Sequence, residues 1–136
     1  MAEETPGEDY PELYREGLRL FNEQEFFACH DVLEELWTDT LGPEREFYQG
    51  LIQSSVALFH FGEGNLGGAR RLYQSARRYL EPYRPRYMGI DLDRFLSGLG
   101  HCFEPLAEAP AGRYPMDVRL DAERIPRLEL CPAQDP

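Results

Sequence analysis

The chain has 136 residues, a net charge of −11 at neutral pH and no lysine, so all 14 of its basic residues are arginines. This length predicts one domain with one core, and the negative charge argues against nucleic acid or an anionic membrane as a partner. The missing lysine excludes a Schiff-base lysine and the lysine of a phosphate-binding loop.

The N-terminal segment, residues 1–10, is acidic where a signal peptide would be basic and then apolar, and we predict that it is disordered. No apolar run is long enough to span a membrane. The three cysteines, Cys29, Cys102 and Cys131, form no CxxC pair and leave one unmatched, which indicates a reducing compartment and neither a disulfide framework nor a zinc knuckle. We therefore expect a cytoplasmic protein.

Two helices are predicted before residue 40. Pro11 begins the first, because a proline at the first helical position has no amide donor to leave unpaired, and this helix ends near Asn22. The second covers about residues 25–39. On a helical wheel of about 100° per residue, we expect the buried sector of this helix to comprise Phe26, Phe27, His30, Leu33, Glu34 and Trp37. This sector contains a histidine and a carboxylate. Such burial is unfavourable unless the two ionisable groups are paired.

Pro43 begins a third helix, which ends near Phe61. Its apolar residues reach nearly around the helical wheel, which is typical of a central helix covered by its neighbours. The same helix carries a polar stripe within about 60° of its circumference, formed by Glu46, Gln49, Gln53 and His60. We expect this stripe to face the polar side chains of the second helix.

Asn65 is expected to cap a fourth helix that ends near Leu80. Asp91 or a neighbour caps a fifth helix, at about residues 92–107. Repeated prolines and short alternating stretches follow, so residues 110–136 are predicted to form an extended tail packed on the bundle.

Residues 21–28 and 61–68 are similar in sequence, lie forty residues apart, and each joins one helix to the next. The helices on either side align without gaps. We therefore predict an all-α fold: a single-domain bundle of about five helices, residues 11–109, built from two helical hairpins of one design.

The motif His30-Asp31-x-x-Glu34-x-x-Trp37 is followed by Arg45, by Tyr48-Gln49-Gly50-Leu51-Ile52-Gln53 and by His60. With this spacing, the segment from about residue 14 to 80 resembles the family called domain of unknown function 309. The resemblance implies a small all-helical bundle and implies no reaction. Two positions depart from the family pattern, Ala28 and Asp31, where an acidic residue and a glutamate are more usual.

The candidate site is a polar cluster of His30, Glu34, Gln53 and His60. Its supporting residues are Trp37, Glu46 and Gln49. The cluster can be a structural hydrogen-bonded network, a site for an organic ligand, or a divalent-metal site in which His30, Glu34 and His60 are the ligands. The structural network is our first expectation, so no cofactor is predicted.

A second candidate is an arginine stripe on the fourth helix, which would suit an anion or an acidic partner. It consists of Arg70, Arg71, Arg77 and Arg78. More often such a stripe is solvated or pairs with acidic surface groups.

These observations predict a small cytoplasmic binding or scaffold module with an unidentified protein or small-molecule partner. The alternative is a metal-dependent hydrolase-like enzyme that uses His30, Glu34 and His60. A homodimer is left open by the sequence.

Overall fold

The structure is a computed structural model that describes residues 10–110 and 112–131. Residues 1–9 of the segment that we predicted to be disordered lie outside the described residues. The all-α prediction is confirmed. The helices are α1 (Glu12–Asn22), α2 (Phe26–Thr38), α3 (Arg45–Gly62), α4 (Leu66–Leu80) and α5 (Leu92–Ala107). Two short strands, β1 (Arg86–Tyr87) and β2 (Ile90–Asp91), pair antiparallel between α4 and α5.

Helices α1 to α4 lie side by side in chain order, and α3 contacts α2 on one side and α4 on the other. Helix α5 crosses this layer, because Phe95 packs on Phe21 of α1 with ring centroids 5.7 Å apart, and Phe103 stacks on Tyr73 of α4 at 4.6 Å. These aromatic contacts form one core beneath α5.

The two hairpins turn in the same way. Gln24, in the α1–α2 turn, has a φ of 63°, and Gly64, in the α3–α4 turn, has a φ of 82°. Both residues adopt the left-handed conformation that ends many helices. The backbone hydrogen bonds also correspond, and those of the first turn are Gln24 to Phe21 and Glu25 to Leu20. Those of the second turn are Gly64 to Phe61 and Asn65 to His60. Residue n of the first hairpin therefore corresponds to residue n + 40 of the second.

Both predicted helix caps are present. The Asn65 side chain accepts a hydrogen bond from the Gly68 amide at 3.2 Å, and the Asp91 carboxylate accepts one from the Arg94 amide at 3.1 Å. Each bond satisfies a backbone donor that the first turn of a helix leaves unpaired. The starts of α4 and α5 therefore follow from their sequences.

The strand pair was not predicted. Its turn contains Met88 and Gly89, with φ values of 47° and 79°, as a two-residue hairpin turn requires. The Tyr14 hydroxyl donates to the Met88 carbonyl at 2.9 Å. This bond from α1 ties the hairpin to the bundle and offsets the strain of a methionine in the left-handed region.

The C-terminal segment, residues 112–131, lies against α1 and α5. Asn22 makes two hydrogen bonds with the backbone of Leu128, one as donor at 3.1 Å and one as acceptor at 2.7 Å, and the Leu128 side chain is buried. Pro105, inside α5, has no amide to donate to His101. The Arg124 guanidinium donates to that His101 carbonyl instead, at 3.4 Å. No helix in the described ranges has both the length and the apolarity that crossing a membrane requires.

The three cysteines are expected to differ in reactivity. Cys29 and Cys102 are buried, and burial raises the pKa of each thiol to about 12, whereas Cys131 is partly exposed. Because the thiolate is the reactive form, a disulfide-exchange reagent near pH 8 should label Cys131 in the folded protein. Cys29 and Cys102 should react only after denaturant is added. Labelling of Cys29 or Cys102 at the rate of Cys131 would contradict the packing of α2 and α5.

Candidate functional site

The buried face of α2 differs from the predicted one. Its core residues are Phe26, Cys29, Leu33 and Leu36. The centre of the buried face was therefore predicted at the wrong position on the helical wheel. Cys29 and Leu36 pack into the core, and this orientation of α2 turns Phe27 and Glu34 outward. Phe27 is 59% exposed. His30 and Trp37 lie at the rim of the buried face and are partly exposed.

The predicted contact between His30 and Glu34 is present. The His30 Nε2 atom lies 2.8 Å from Glu34 Oε2, and the Asp31 carboxylate lies 3.3 Å from His30 Nδ1. The predicted burial of the pair is wrong for Glu34, whose side chain is 53% exposed against 27% for His30. Solvent therefore screens the carboxylate, and this ion pair contributes little to stability.

Helices α2 and α3 run antiparallel, with two contacts that fix their alignment. Near the start of α2, the Phe27 and Phe59 rings lie 5.5 Å apart, and near its end the Arg45 guanidinium lies 3.9 Å over the Trp37 ring. Between these contacts the exposed edges of the two helices face each other. We call this edge the α2–α3 seam, and it comprises Phe27, His30, Glu34 and Trp37 of α2 and Arg45, Gln49, Gln53, Val56 and Phe59 of α3.

Three polar atoms of the α2–α3 seam are buried without a hydrogen-bond partner among the described residues. They are His30 Nδ1, Trp37 Nε1 and Gln53 Oε1, each with less than 1 Å² of accessible surface. The Asp31 carboxylate is near His30 Nδ1 but is not aligned for a hydrogen bond. A buried polar group left without any partner costs about 1–3 kcal/mol, so these three atoms are positioned to hydrogen-bond an ordered water or a ligand.

Arg45 determines the geometry at the Trp37 end of the seam. Besides lying over the indole ring, its guanidinium donates to the Trp37 carbonyl at 3.0 Å and to the Thr40 carbonyl at 2.9 Å. These carbonyls are at the end of α2, where helices leave acceptors unpaired. No role of Arg45 was predicted from the sequence; the available signal was its place two residues after Pro43 of the helix break.

His60 lies apart from the predicted cluster. It is at the C-terminal end of α3, where its Nδ1 atom lies 3.2 Å from Asn65 Nδ2. The described part of the chain contains no group of three His, Cys, Asp or Glu side chains that could hold a metal. The convergence of His30, Glu34 and His60 is therefore not formed. Of the supporting residues on α3, Glu46 is exposed and Gln49 is partly buried.

The arginine stripe of α4 is divided between two environments. Arg70 donates to the Ala109 carbonyl at 3.1 Å, and Arg77 donates to the Leu96 carbonyl at 3.3 Å, so both bind the backbone of α5 and the residues after it. Arg71 and Arg78 are exposed. The four arginines therefore do not form one surface.

Residues 14–72 match the protein family described as Domain of unknown function (DUF309). The resemblance to DUF309 is confirmed. The matching residues include most of α1, all of α2 and α3 and the first half of α4, and therefore the whole α2–α3 seam. Helix α5, the strand pair and the C-terminal segment lie outside the DUF309 match.

Two relatives are similar to this chain. The Uncharacterized protein YpuF of Bacillus subtilis (strain 168) is 31% identical over 106 residues, which are 75% of this chain and 61% of the relative. An Uncharacterized protein of Aquifex aeolicus (strain VF5) is 30% identical over 82 residues, 60% of this chain and 25% of the relative. The chain thus spans only part of the length of both relatives.

The hairpin repeat allows a comparison within the molecule. His30 and Trp37 of the DUF309 segment correspond to Arg70 and Arg77 forty residues later, and each pair faces the next helix of the bundle. In α4 both arginines find carbonyl acceptors near or on α5. In α2 the His30 Nδ1 and Trp37 Nε1 atoms find none. Of these two corresponding sets of polar side chains, the one in the α2–α3 seam is therefore the set that lacks hydrogen-bond partners among the described residues.

Proposed function

We propose that the protein is a small cytoplasmic binding module whose ligand site is the α2–α3 seam. The observation that carries the proposal is the set of three unpaired buried atoms in this seam; for two of them, in His30 and Trp37, the corresponding arginines of α4 are paired. Natural proteins tolerate unfavourable local arrangements mainly at functional sites. A ligand that hydrogen-bonds these groups would recover the free energy that their desolvation costs.

The surroundings of the seam also favour a binding role. Phe27 exposes much of its ring beside His30, with the two ring centroids 5.8 Å apart. A partly exposed aromatic side chain next to a few convergent polar groups is typical of ligand sites. A binding role requires only such complementary groups, whereas the metal-dependent hydrolase requires three ligands that the described residues do not bring together.

Replacing Gln53 by leucine is expected to stabilise the folded protein by about 0.5–2 kcal/mol, because the change removes an unpaired buried carbonyl and keeps a side chain of similar size. Urea unfolding, followed by circular dichroism, measures the effect. Gln74→Leu is the matched control, since Gln74 is exposed on α4, and this variant should change stability by less than about 0.5 kcal/mol.

A loss of stability in Gln53→Leu would count against the proposal. If Gln53→Leu destabilises the protein by more than about 1 kcal/mol, the Gln53 amide has a structural partner, and the seam is a network that holds the bundle together. A stabilised variant is the pattern that a ligand site produces, because groups kept for binding are not optimised for stability.

A further inference from the structure

We infer that a second ligand site lies between α5 and the C-terminal segment and that it binds a small organic anion, a carboxylate or a phosphate ester. The site is a cleft formed by residues 90–98 of β2 and α5 and by residues 126–131, and we call it the α5 cleft. It lies outside the α2–α3 seam and outside the DUF309 match, so it goes beyond the proposed function. Its size, its paired carboxylates and its free guanidinium donors indicate this class of ligand.

The shape of the α5 cleft is fixed by the fold. Its volume of about 630 Å³ lies in the range of small-molecule sites. The wall formed by the C-terminal segment is held at both ends. At one end Gly98 lets the segment approach α5, since a Cβ atom there would lie only 2.9 Å from the Cβ of Pro126. At the other end the Cys131 amide donates a hydrogen bond to the Gly89 carbonyl at 2.8 Å.

The two carboxylates that line the α5 cleft already have partners. Asp91 Oδ1 accepts a hydrogen bond from the Arg94 amide at 3.1 Å, at the N-terminal end of α5, where the helix dipole favours negative charge. The Glu129 Oε1 atom lies 2.6 Å from Arg127 Nε. Both negative charges are therefore compensated locally, and neither carboxylate requires a cation from a ligand.

Positively charged donors of the α5 cleft remain free. The bond between Arg94 and Asp91 uses the backbone amide, and the Arg94 guanidinium has no hydrogen-bond or ion-pair partner among the described residues. Arg127 binds Glu129 through Nε, which leaves its two Nη groups without a partner in the same part of the chain. Ser97 lies three residues after Arg94 on the same face of α5 and adds a hydroxyl group. Guanidinium groups donate in a planar fork that matches the oxygens of a carboxylate or a phosphate.

The rest of the lining favours an anion that carries a carbon skeleton. Pro126 and Leu130 are partly exposed and, with the buried side chains of Ile90 and Phe95, give the cleft an apolar lining. An apolar lining with a few polar groups is typical of ligand sites. The net charge of −11 does not oppose such a ligand, because eleven of the 14 arginines follow residue 69. Charges farther away than about 8 Å are also largely screened at physiological ionic strength.

The experiment titrates the whole chain, labelled with ¹⁵N, and follows the backbone amides. The probes are sodium benzoate for a carboxylate, sodium phenyl phosphate for a phosphate ester and benzyl alcohol as the uncharged analogue, with sodium chloride at equal ionic strength as the control for screening. We expect saturable shifts at Gly98, Leu130 and Cys131 with an anionic probe below about 10 mM, and none with benzyl alcohol or sodium chloride. Saturation by benzoate indicates a carboxylate ligand, and saturation by phenyl phosphate indicates a phosphate ester; either result supports the anion site.

A pair of variants tests the role of Arg94. Arg94→Gln should weaken binding of the anionic probe by about tenfold or more, because it removes a guanidinium group from the site. The helix cap survives this change, since Asp91 accepts its hydrogen bond from the backbone amide. Arg78→Gln is the matched control, because Arg78 is also exposed but lies on α4, outside the lining of the cleft. It should change the affinity by less than about twofold.

The anion site is overturned if neither anionic probe saturates, if benzyl alcohol or sodium chloride shifts the same amides equally, or if Arg78→Gln weakens binding as much as Arg94→Gln. The Cys131 thiol gives an independent readout, because it lies on the wall of the cleft. A bound anionic probe should slow the reaction of Cys131 with uncharged dithiodipyridine in a saturable manner. An unchanged rate at saturating probe would show that the anion binds elsewhere and would also overturn the site.

Discussion

Replacing Gly50 by valine should destabilise the protein by about 3 kcal/mol, near the upper end of what an overpacked core costs. Gly50 lies at a close contact between α3 and α4, and a Cβ atom there would be 2.6 Å from two carbon atoms of Leu80 and 3.2 Å from the Cβ of Tyr79. Leu80 is fully buried, and because protein interiors are close-packed, its side chain cannot move aside without displacing its neighbours. The two further methyl groups of valine force the helices apart. Urea unfolding with a constant m-value would report the loss.

Gly67→Val is the matched control. Gly67 lies near the start of α4, and a Cβ atom there would meet only the end of the flexible Arg71 side chain, at 3.6 Å. Since valine forms helix more readily than glycine, this variant should be neutral or slightly more stable. Equal destabilisation by the two substitutions would mean that α3 and α4 are not in close contact at Gly50.

The fold was predictable wherever a local signal determined the backbone. Asn65 and Asp91 were identified as helix caps because short polar side chains satisfy the first amides of a helix, and both make that bond. The similarity of residues 21–28 and 61–68 corresponds to one turn geometry, in which Gln24 and Gly64 share a left-handed conformation. Glutamine is an uncommon choice there, so the glycine of the second turn was the clearer signal.

Features that depend on long-range contacts were missed. The strand pair spans only two residues on each side, too few for a period-2 pattern, and the Met88-Gly89 turn is held by the hydroxyl of Tyr14, 74 residues away from Met88. The Arg124 bond to the carbonyl that Pro105 leaves free is likewise invisible to local pattern. Such contacts become apparent only when the packing of α5 and the C-terminal segment is known.

The site was predicted in part. His30 and Glu34 are four residues apart, which places them together on any helix, so their contact followed from spacing alone. Their burial depended on where the centre of the apolar face lies, and Cys29 and Leu36 shift that centre away from Glu34. His60 was assigned to the cluster by wheel angle, but it lies seven residues beyond Gln53, about 10 Å along α3, and approaches Asn65 instead. The helical-wheel angle alone, without the distance along the helix axis, overestimates how closely side chains approach one another.

Replacing Arg45 by alanine should destabilise the protein by about 2–4 kcal/mol, because two charged hydrogen bonds and a cation–π contact are lost together. The guanidinium joins the end of α2 to the start of α3 through the carbonyls of Trp37 and Thr40 and lies over the Trp37 ring. Arg45→Lys should recover only part of the loss, since an ammonium group can donate to the carbonyls but does not stack on the indole ring as the planar guanidinium does. Unfolding in urea, followed by circular dichroism, gives the free energies.

Arg78→Ala provides the control, because Arg78 is exposed on α4 and its removal should change stability by less than about 0.5 kcal/mol. Trp37 is the single tryptophan of the chain, so its fluorescence reports the seam directly. Its emission spectrum should change in Arg45→Ala under native conditions and stay the same in Arg78→Ala. Two results would show that Arg45 does not hold Trp37 at the seam. One is an unchanged free energy of unfolding in Arg45→Ala, and the other is an unchanged emission spectrum of Trp37 in that variant.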